Sequence, residues 1–153
     1  MAISERAKQA VRNFAQGCNC AQSVLLAYAD VLGLTQEQAA MVSVGFGGGI
    51  GRLRDNCGAF SAAVMLCGVL EGPEGALKEH RRETYARVQE MYRRFLQVNG
   101  SICCSELLGR AKGPEVPTPD ARTPEYYRSR PCARIIRRAC GIIDEMLEET
   151  RNA

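Results

Sequence analysis

An all-α fold is predicted for this chain, a single domain over 1–153 with about six to seven helices around a buried central one. Three observations carry that reading. Apolar residues recur at helical spacing along most of the chain, and no run alternates apolar and polar residues as a half-buried strand does. After the glycine-rich stretch Gly45–Gly51 comes a segment, Cys57 to Gly68, made almost wholly of apolar or small residues. A helix that is apolar on every side is a buried one.

The elements follow in order. Ala7, Ala10, Val11 and Phe14 share one helical face after Ser4, and Gly17 stops that helix. Asn19 caps a second helix whose stripe is Val24, Leu25, Tyr28, Val31 and Leu32, ended by Gly33. Thr35 and Gln38 form a capping box for a third, which runs through Met41 and Val42 into the glycines. Beyond the central helix the chain breaks at Glu71-Gly-Pro-Glu-Gly75. A long helix then resumes to Asn99, its buried face set by Leu77, Tyr85, Val88, Met91, Tyr92 and Phe95. Ser101 caps a short helix, Ile102 to Leu108. The proline-rich segment from Gly109 to Arg130 reads as an ordered wrap or lid with one helical turn near Tyr126. Behind Pro131, the positions Cys132, Ile135, Ile136, Ala139, Cys140, Ile143, Met146 and Leu147 trace an amphipathic last helix.

Composition narrows the function classes. The chain has 153 residues, 46% of them hydrophobic, enough for one real core. No apolar run is long enough to span a bilayer, and the start, Met1-Ala-Ile-Ser-Glu-Arg, is charged and amphipathic, so a cytoplasmic protein without membrane attachment is expected. The 20 basic and 17 acidic side chains are mixed along the chain for a net +3, too weak and dispersed a charge for nucleic-acid binding. The densest basic group, Arg128, Arg130, Arg134, Arg137 and Arg138, reads as a solvated helix face.

Eight cysteines beside one histidine and no tryptophan point to metal or redox chemistry in a reducing compartment rather than to a disulfide framework. Cys67 lies ten positions after Cys57 on one helix, about 15 Å along its axis, and Cys140 lies about 12 Å beyond Cys132. Both therefore read as core. The other six fall at four helix starts: Cys18 or Cys20, Cys57, Cys103 or Cys104, and Cys132. Cys57 follows Asn56, a good capping residue. Free N–H groups and the positive end of a helix dipole favour a thiolate at such a position, so convergence of the four starts would gather low-pKa thiols at one point.

Several motifs are excluded. There is no Cys-x-x-Cys, no Cys-x-x-Cys-His and no ferredoxin spacing. The glycines do not supply G-x-G-x-x-G, since Ile50 stands at the third glycine position, and they follow a helix rather than a strand. They instead suit a tight backbone path beside a buried group, with Arg52 and Arg54 adding positive charge near Cys57. His80, among Lys78, Glu79, Arg81 and Arg82, reads as solvent-facing, as do Glu148 and Glu149, so a hydrolase has no support.

The ordered motifs Asn19-Cys20-Ala21-Gln22, Gly45-Phe-Gly-Gly-Gly-Ile-Gly-Arg52, Cys57-Gly58-Ala59, Gly100-Ser-Ile-Cys-Cys-Ser-Glu-Leu-Leu-Gly109 and Cys132 resemble the C_GCAxxG_C_C family of redox-active proteins over nearly the whole chain. Position by position, the resemblance assigns the family's four cysteines to Cys20, Cys57, Cys104 and Cys132 and leaves Cys18 and Cys103 as extras. Ala62 stands where the family motif has glycine, a change expected to widen a helix contact slightly without removing the site. The family's similarity to the non-haem part of split-Soret cytochromes implies an iron-sulfur cluster.

The expected function is thus a small electron-transfer protein with an iron-sulfur cluster on Cys20, Cys57, Cys104 and Cys132, working with an unidentified redox partner protein. Helix dipoles and Arg52 or Arg54 would stabilise the anionic cluster. Two alternatives stay open: a thiol-disulfide protein with Cys57 as the attacking thiolate and Cys20 or Cys104 resolving, and a zinc-binding module without electron transfer. The sequence leaves open whether the chain is an enzyme, and a homodimer would suit its apolar helix surface.

Overall fold

The computed structural model describes residues 2–153; Met1, which opens the charged N-terminal stretch, lies outside them. Among the described residues the fold is all-helical. No strand forms, although Asn56 and Cys103 make an isolated antiparallel bridge. The chain runs α1 (Glu5–Ala15), α2 (Cys20–Ala27), α3 (Ala29–Leu32), α4 (Gln36–Ser43), α5 (Gly47–Ile50), α6 (Gly58–Leu70), α7 (Arg81–Asn99), α8 (Cys104–Leu108), α9 (Pro124–Ser129) and α10 (Cys132–Arg151). The α5 turn is distorted, with Gly48 and Gly49 in the left-handed region.

Local chemistry sets the starts. Ser4 accepts from the Ala7 N–H at 3.0 Å to begin α1, and reciprocal capping boxes, Asn19 with Gln22 and Thr35 with Gln38, begin α2 and α4. Helices α2, α6 and α10 pack on one another; α1 closes against α2 and α10, α7 against α6 and α10, and α4 against α2. The small residues Ala59, Ala62 and Ala63 of α6, all fully buried, let its neighbours approach closely. Around them sit Leu25, Leu66, Phe95 and Ile136. Burial of side chains such as Leu66 and Phe95 stabilises the fold by about 2 to 3 kcal/mol each. The central position expected for the helix after the glycines is therefore the observed one.

Three elements differ from their expected extent. The second helix breaks at Tyr28 (φ −121°, ψ 15°), and only a short turn, α3, continues to Leu32. The buried Tyr28 hydroxyl donates to Asp144 at 2.6 Å, and Ser4 donates to the other oxygen of that carboxylate at 2.5 Å. One side chain of α10 thereby ties down the end of α2 and the start of α1.

The long helix begins at Arg81, after 3₁₀ turns at Pro73–Ala76 and Lys78–His80. Leu77 is 52% exposed, and Tyr85 and Tyr92 are also exposed, while Met91 and Phe95 are buried. Helix α7 lies at the edge of the bundle, so a narrow stripe meets its partners. Finally, the short helix starts at Cys104 rather than Ile102. Ser101 accepts from the Cys103 N–H at 2.9 Å and donates to Glu106 at 2.6 Å, closing the turn before the helix rather than capping it.

Candidate cysteine site

Each of the four cysteines stands where a helix begins. Cys20, Cys104 and Cys132 are the first residues of α2, α8 and α10, and Cys57 is the N-cap of α6 itself, with Asn56 displaced into the bridge with Cys103. That bridge region is stitched by backbone bonds: Cys57 N–H to Ile102 O at 2.7 Å, Cys104 N–H to Asp55 O at 2.7 Å, and Ser105 N–H to Arg54 O at 3.1 Å. The approaches to α6 and α8 therefore run side by side.

The four side chains line one small cavity of about 20 Å³, together with Gly58, Leu107, Leu108 and Ile135. Cys67 and Cys140 lie fully buried in the helical core, away from it. Cys103 is half-buried against the Ser105 hydroxyl, and neither it nor Cys18 lines the cavity.

Two glycines are required by close approach. A Cβ on Gly58 would lie 2.5 Å from Cys20 Sγ and 2.8 Å from the Phe46 carbonyl oxygen. A Cβ on Gly49 would meet Cys104 Cβ at 2.5 Å, and the φ of +66° there disfavours any side chain. The glycine stretch thus packs its backbone against the cysteines, as its composition predicts.

The thiols are not alike. Cys57 donates a hydrogen bond to Cys20, and the backbone N–H groups of Gly48, Gly58 and Ala21 add to it; together they outweigh burial and bring Cys20 down to about 6. Cys57 is driven well above the ordinary thiol range, by its hydrogen bond to Cys20 and by burial. Burial also raises Cys104, against the opposing effect of Arg54, and takes Cys132 to about 12. The helix starts therefore do not act on the four thiols alike: Cys20 is brought down, while burial raises Cys57, Cys104 and Cys132.

Charge enters from the segment after α5. Ile50, Arg52 and Arg54 adopt positive φ of 65°, 67° and 58°, a strain of about 1 kcal/mol or more per residue. Backbone bonds hold the turn, including Asp55 N–H to Gly49 O at 2.8 Å and Gly113 N–H to Leu53 O at 2.8 Å. Arg54, 1% exposed, forms a two-bond pair with Glu115 at 3.0 and 2.9 Å, and its remaining nitrogen Nη1 stands 3.6 Å from Cys104 Sγ. The positive charge expected beside Cys57 lies instead beside Cys104, because the left-handed turn carries the arginines toward the Gly109–Arg130 wrap.

Arg52 joins Glu115 at 3.0 Å and Asp120 at 3.3 Å; Arg110 binds both carboxylates, and Arg130 pairs with Asp120. Arg130 thus leaves the solvated face read from the sequence. Glu115 and Asp120 carry no local motif and were not legible before folding. Their one sequence signal is that they are the acidic residues of the proline-rich segment between Gly109 and Ala121.

Among the described residues no group of three or more His, Cys, Asp or Glu side chains is set to hold a metal ion as the chain stands. The cavity has room for about one water-sized sphere. In chemistry, the donor set suits an iron-sulfur cluster: four sulfurs, no carboxylate lining the cavity, and N–H donors aimed at sulfur. Cys20, Cys104 and Cys132 also line an adjoining cleft of about 360 Å³, so space lies next to three of the four.

Fold and site together define a small helical protein whose reactive chemistry is that of clustered cysteines. The family profile described as "Putative redox-active protein (C_GCAxxG_C_C)" matches residues 18–146, and the chain belongs to that family. A protein of Archaeoglobus fulgidus, described as an uncharacterized protein, is 27% identical over 141 residues covering 87% of each chain. No solved structure matches the chain. Among the described residues no helix is long and apolar enough to cross a membrane.

Proposed function

We propose that this redox protein is a one-electron carrier whose Cys20, Cys57, Cys104 and Cys132 hold an iron-sulfur cluster. The observation that supports this reading above all is that cysteines from four separate helix starts line one cavity, twice the number a dithiol needs. When bound, the cluster would supply reversible one-electron chemistry. The chain's own part is to offer four sulfurs, to donate backbone N–H groups to Cys20 and a guanidinium N–H to Cys104, and to screen the site with Leu107, Leu108 and Ile135. All eight cysteines are free thiols, in keeping with a reducing compartment such as the cytoplasm, and a second redox protein would be the electron partner.

The test is metal and sulfide analysis of anaerobically purified protein. Iron with matching acid-labile sulfide and visible absorbance supports the reading. Colourless protein free of both sinks it, and a colourless protein with one zinc per chain points to a structural metal site instead.

One contact favours a second reading. Cys20 and Cys57 line the same small cavity, and Cys57 holds Cys20 below the ordinary thiol range, as a dithiol used for exchange requires. Attack of the Cys20 thiolate on a partner disulfide, followed by Cys57, would form one Cys20–Cys57 bond and release the partner's two sulfurs as one thiolate and one thiol. The two electrons pass to the partner with the Cys57 proton. Metal-free protein that forms this bond on incubation with an oxidised dithiol would favour it.

A further inference from the structure

Beside the cysteine cavity lies the cleft of about 360 Å³, within the size range of small-molecule sites. Two kinds of surface line it next to Cys20, Cys104 and Cys132. One is cationic: Arg52, Arg54, Arg122 and Arg130. The other is flat and apolar: Phe14, Tyr126, Pro117 and Pro119; Asp120, paired with Arg52 and Arg130, also lines the cleft.

The charges there do not balance. Arg52, Arg54, Arg110 and Arg130 share two carboxylates, Glu115 and Asp120. Arg122 has no ion pair among the described residues. Its guanidinium donates to the carbonyls of Phe14 at 3.2 Å and Cys18 at 3.0 Å and stands 4.8 Å over the Phe14 ring and 4.6 Å over the Tyr126 ring. Of these arginines Arg54 is the one that reaches a sulfur. Arg122 and Arg130 also act on Cys132, but among the described residues no carboxylate takes up the charge of Arg122, and the four other arginines share two carboxylates.

A half-enclosed cleft with surplus positive charge concentrates anions, and guanidinium forks match carboxylate oxygens in pairs. Pro117 and Pro119, next to a Tyr126 ring on which Arg122 and Arg130 already stack at 4.6 and 4.2 Å, favour a flat apolar body. We propose that this cleft binds a small organic anion, a carboxylate on a flat apolar body, directly beside Cys20, Cys104 and Cys132. The proposal stands on the lining of the cleft and not on a group held by the cysteines; the binding test reads affinity while the metal analysis reads iron and sulfide, so the two failures are distinguishable.

Calorimetric titration of anaerobically purified protein at low ionic strength with benzoate, benzamide and inorganic phosphate tests it. Benzoate is expected to bind at least about tenfold more tightly than isosteric, neutral benzamide, in line with a charge-assisted hydrogen bond. It should also outbind phosphate, weaken as salt is raised, and shift the Tyr126 ring resonances in NMR spectra. Arg130→Gln, which leaves Asp120 paired with Arg52 and Arg110, should lower benzoate affinity about tenfold with the melting temperature little changed. Equal binding of benzamide, phosphate matching benzoate, or no benzoate binding would each overturn the proposal. Should Arg130→Gln fail to fold, the three-probe comparison on the unaltered protein still decides.

Discussion

Arg54 and Glu115, 61 positions apart in the chain, are joined by two parallel hydrogen bonds, and the arginine end is almost completely buried. A buried cation stripped of its partner is costly, whereas the pair replaced as a unit is not. Glu115→Gln should therefore destabilise the protein by about 3 kcal/mol. The double variant Arg54→Met with Glu115→Leu should lose less, and urea unfolding of the two compares them directly. Equal losses would mean that Arg54 finds another partner when Glu115 is gone.

Gly58 gives a steric test of the cysteine site. The 2.5 Å approach of a would-be Cβ to Cys20 Sγ means that Gly58→Ala must push Cys20 away from Cys57, at a cost of about 1 to 3 kcal/mol. Thermal melting should show the loss, and Cys20 and Cys57 should become resistant to forming a disulfide under mild oxidant. Gly68→Ala on the same helix, where a Cβ meets nothing within 4 Å, is the matched control: it should leave disulfide formation unchanged and raise the melting temperature slightly, as alanine does inside a helix.

In reduced, metal-free protein the thiols should separate by reactivity. Because Cys20 is brought down to about 6, its alkylation by iodoacetamide should rise through that pH and level off above it. Cys67 and Cys140, raised by burial to about 11 and about 12, should stay unlabelled until the protein unfolds. Cys57→Ala removes the donor and should return the Cys20 midpoint toward the ordinary 9.0. Peptide mass spectrometry reads all three sites at once.

The wrap from Gly109 to Arg130 should be acid-labile. Burial alone would raise Asp120, but hydrogen bonds from Arg52 and Arg130, with their charges, bring it to about 2 from the ordinary 3.8. Its contribution to stability is thus complete above about 3.8 and lost as pH falls through about 2. Pepsin should begin to cut between residues 109 and 130 across that window. Asp120→Asn should shift the onset of cutting to higher pH.

The parts of this molecule that are written locally could be read locally. The cap at Asn19 and the capping box at Thr35 occur in the fold as the sequence implies, and the cysteine positions at helix starts follow from the same punctuation. Helical periodicity, however, does not say which helix lies at the edge, so Leu77, Tyr85 and Tyr92 carry a buried pattern and stand exposed.

Nor does periodicity foresee a break imposed from elsewhere. Tyr28 ends α2 where its hydroxyl meets Asp144, more than a hundred residues on. The thiol order was illegible for a similar reason. A helix start favours a thiolate at Cys57, but burial and the thiolate of Cys20 oppose it more strongly, and both depend on what folds around the residue. The Arg54–Glu115 pair leaves no local trace, because it needs a left-handed turn at one end and a proline-rich wrap at the other.

The four cysteines stand far apart in the chain and meet only through packing. The site is complete only when α10 closes on α2 and α6, which bring Cys132 to Cys20 and Cys57. A group carried by all four cysteines would therefore bind the folded arrangement and not any part of it, and its binding would add directly to the stability of the whole fold.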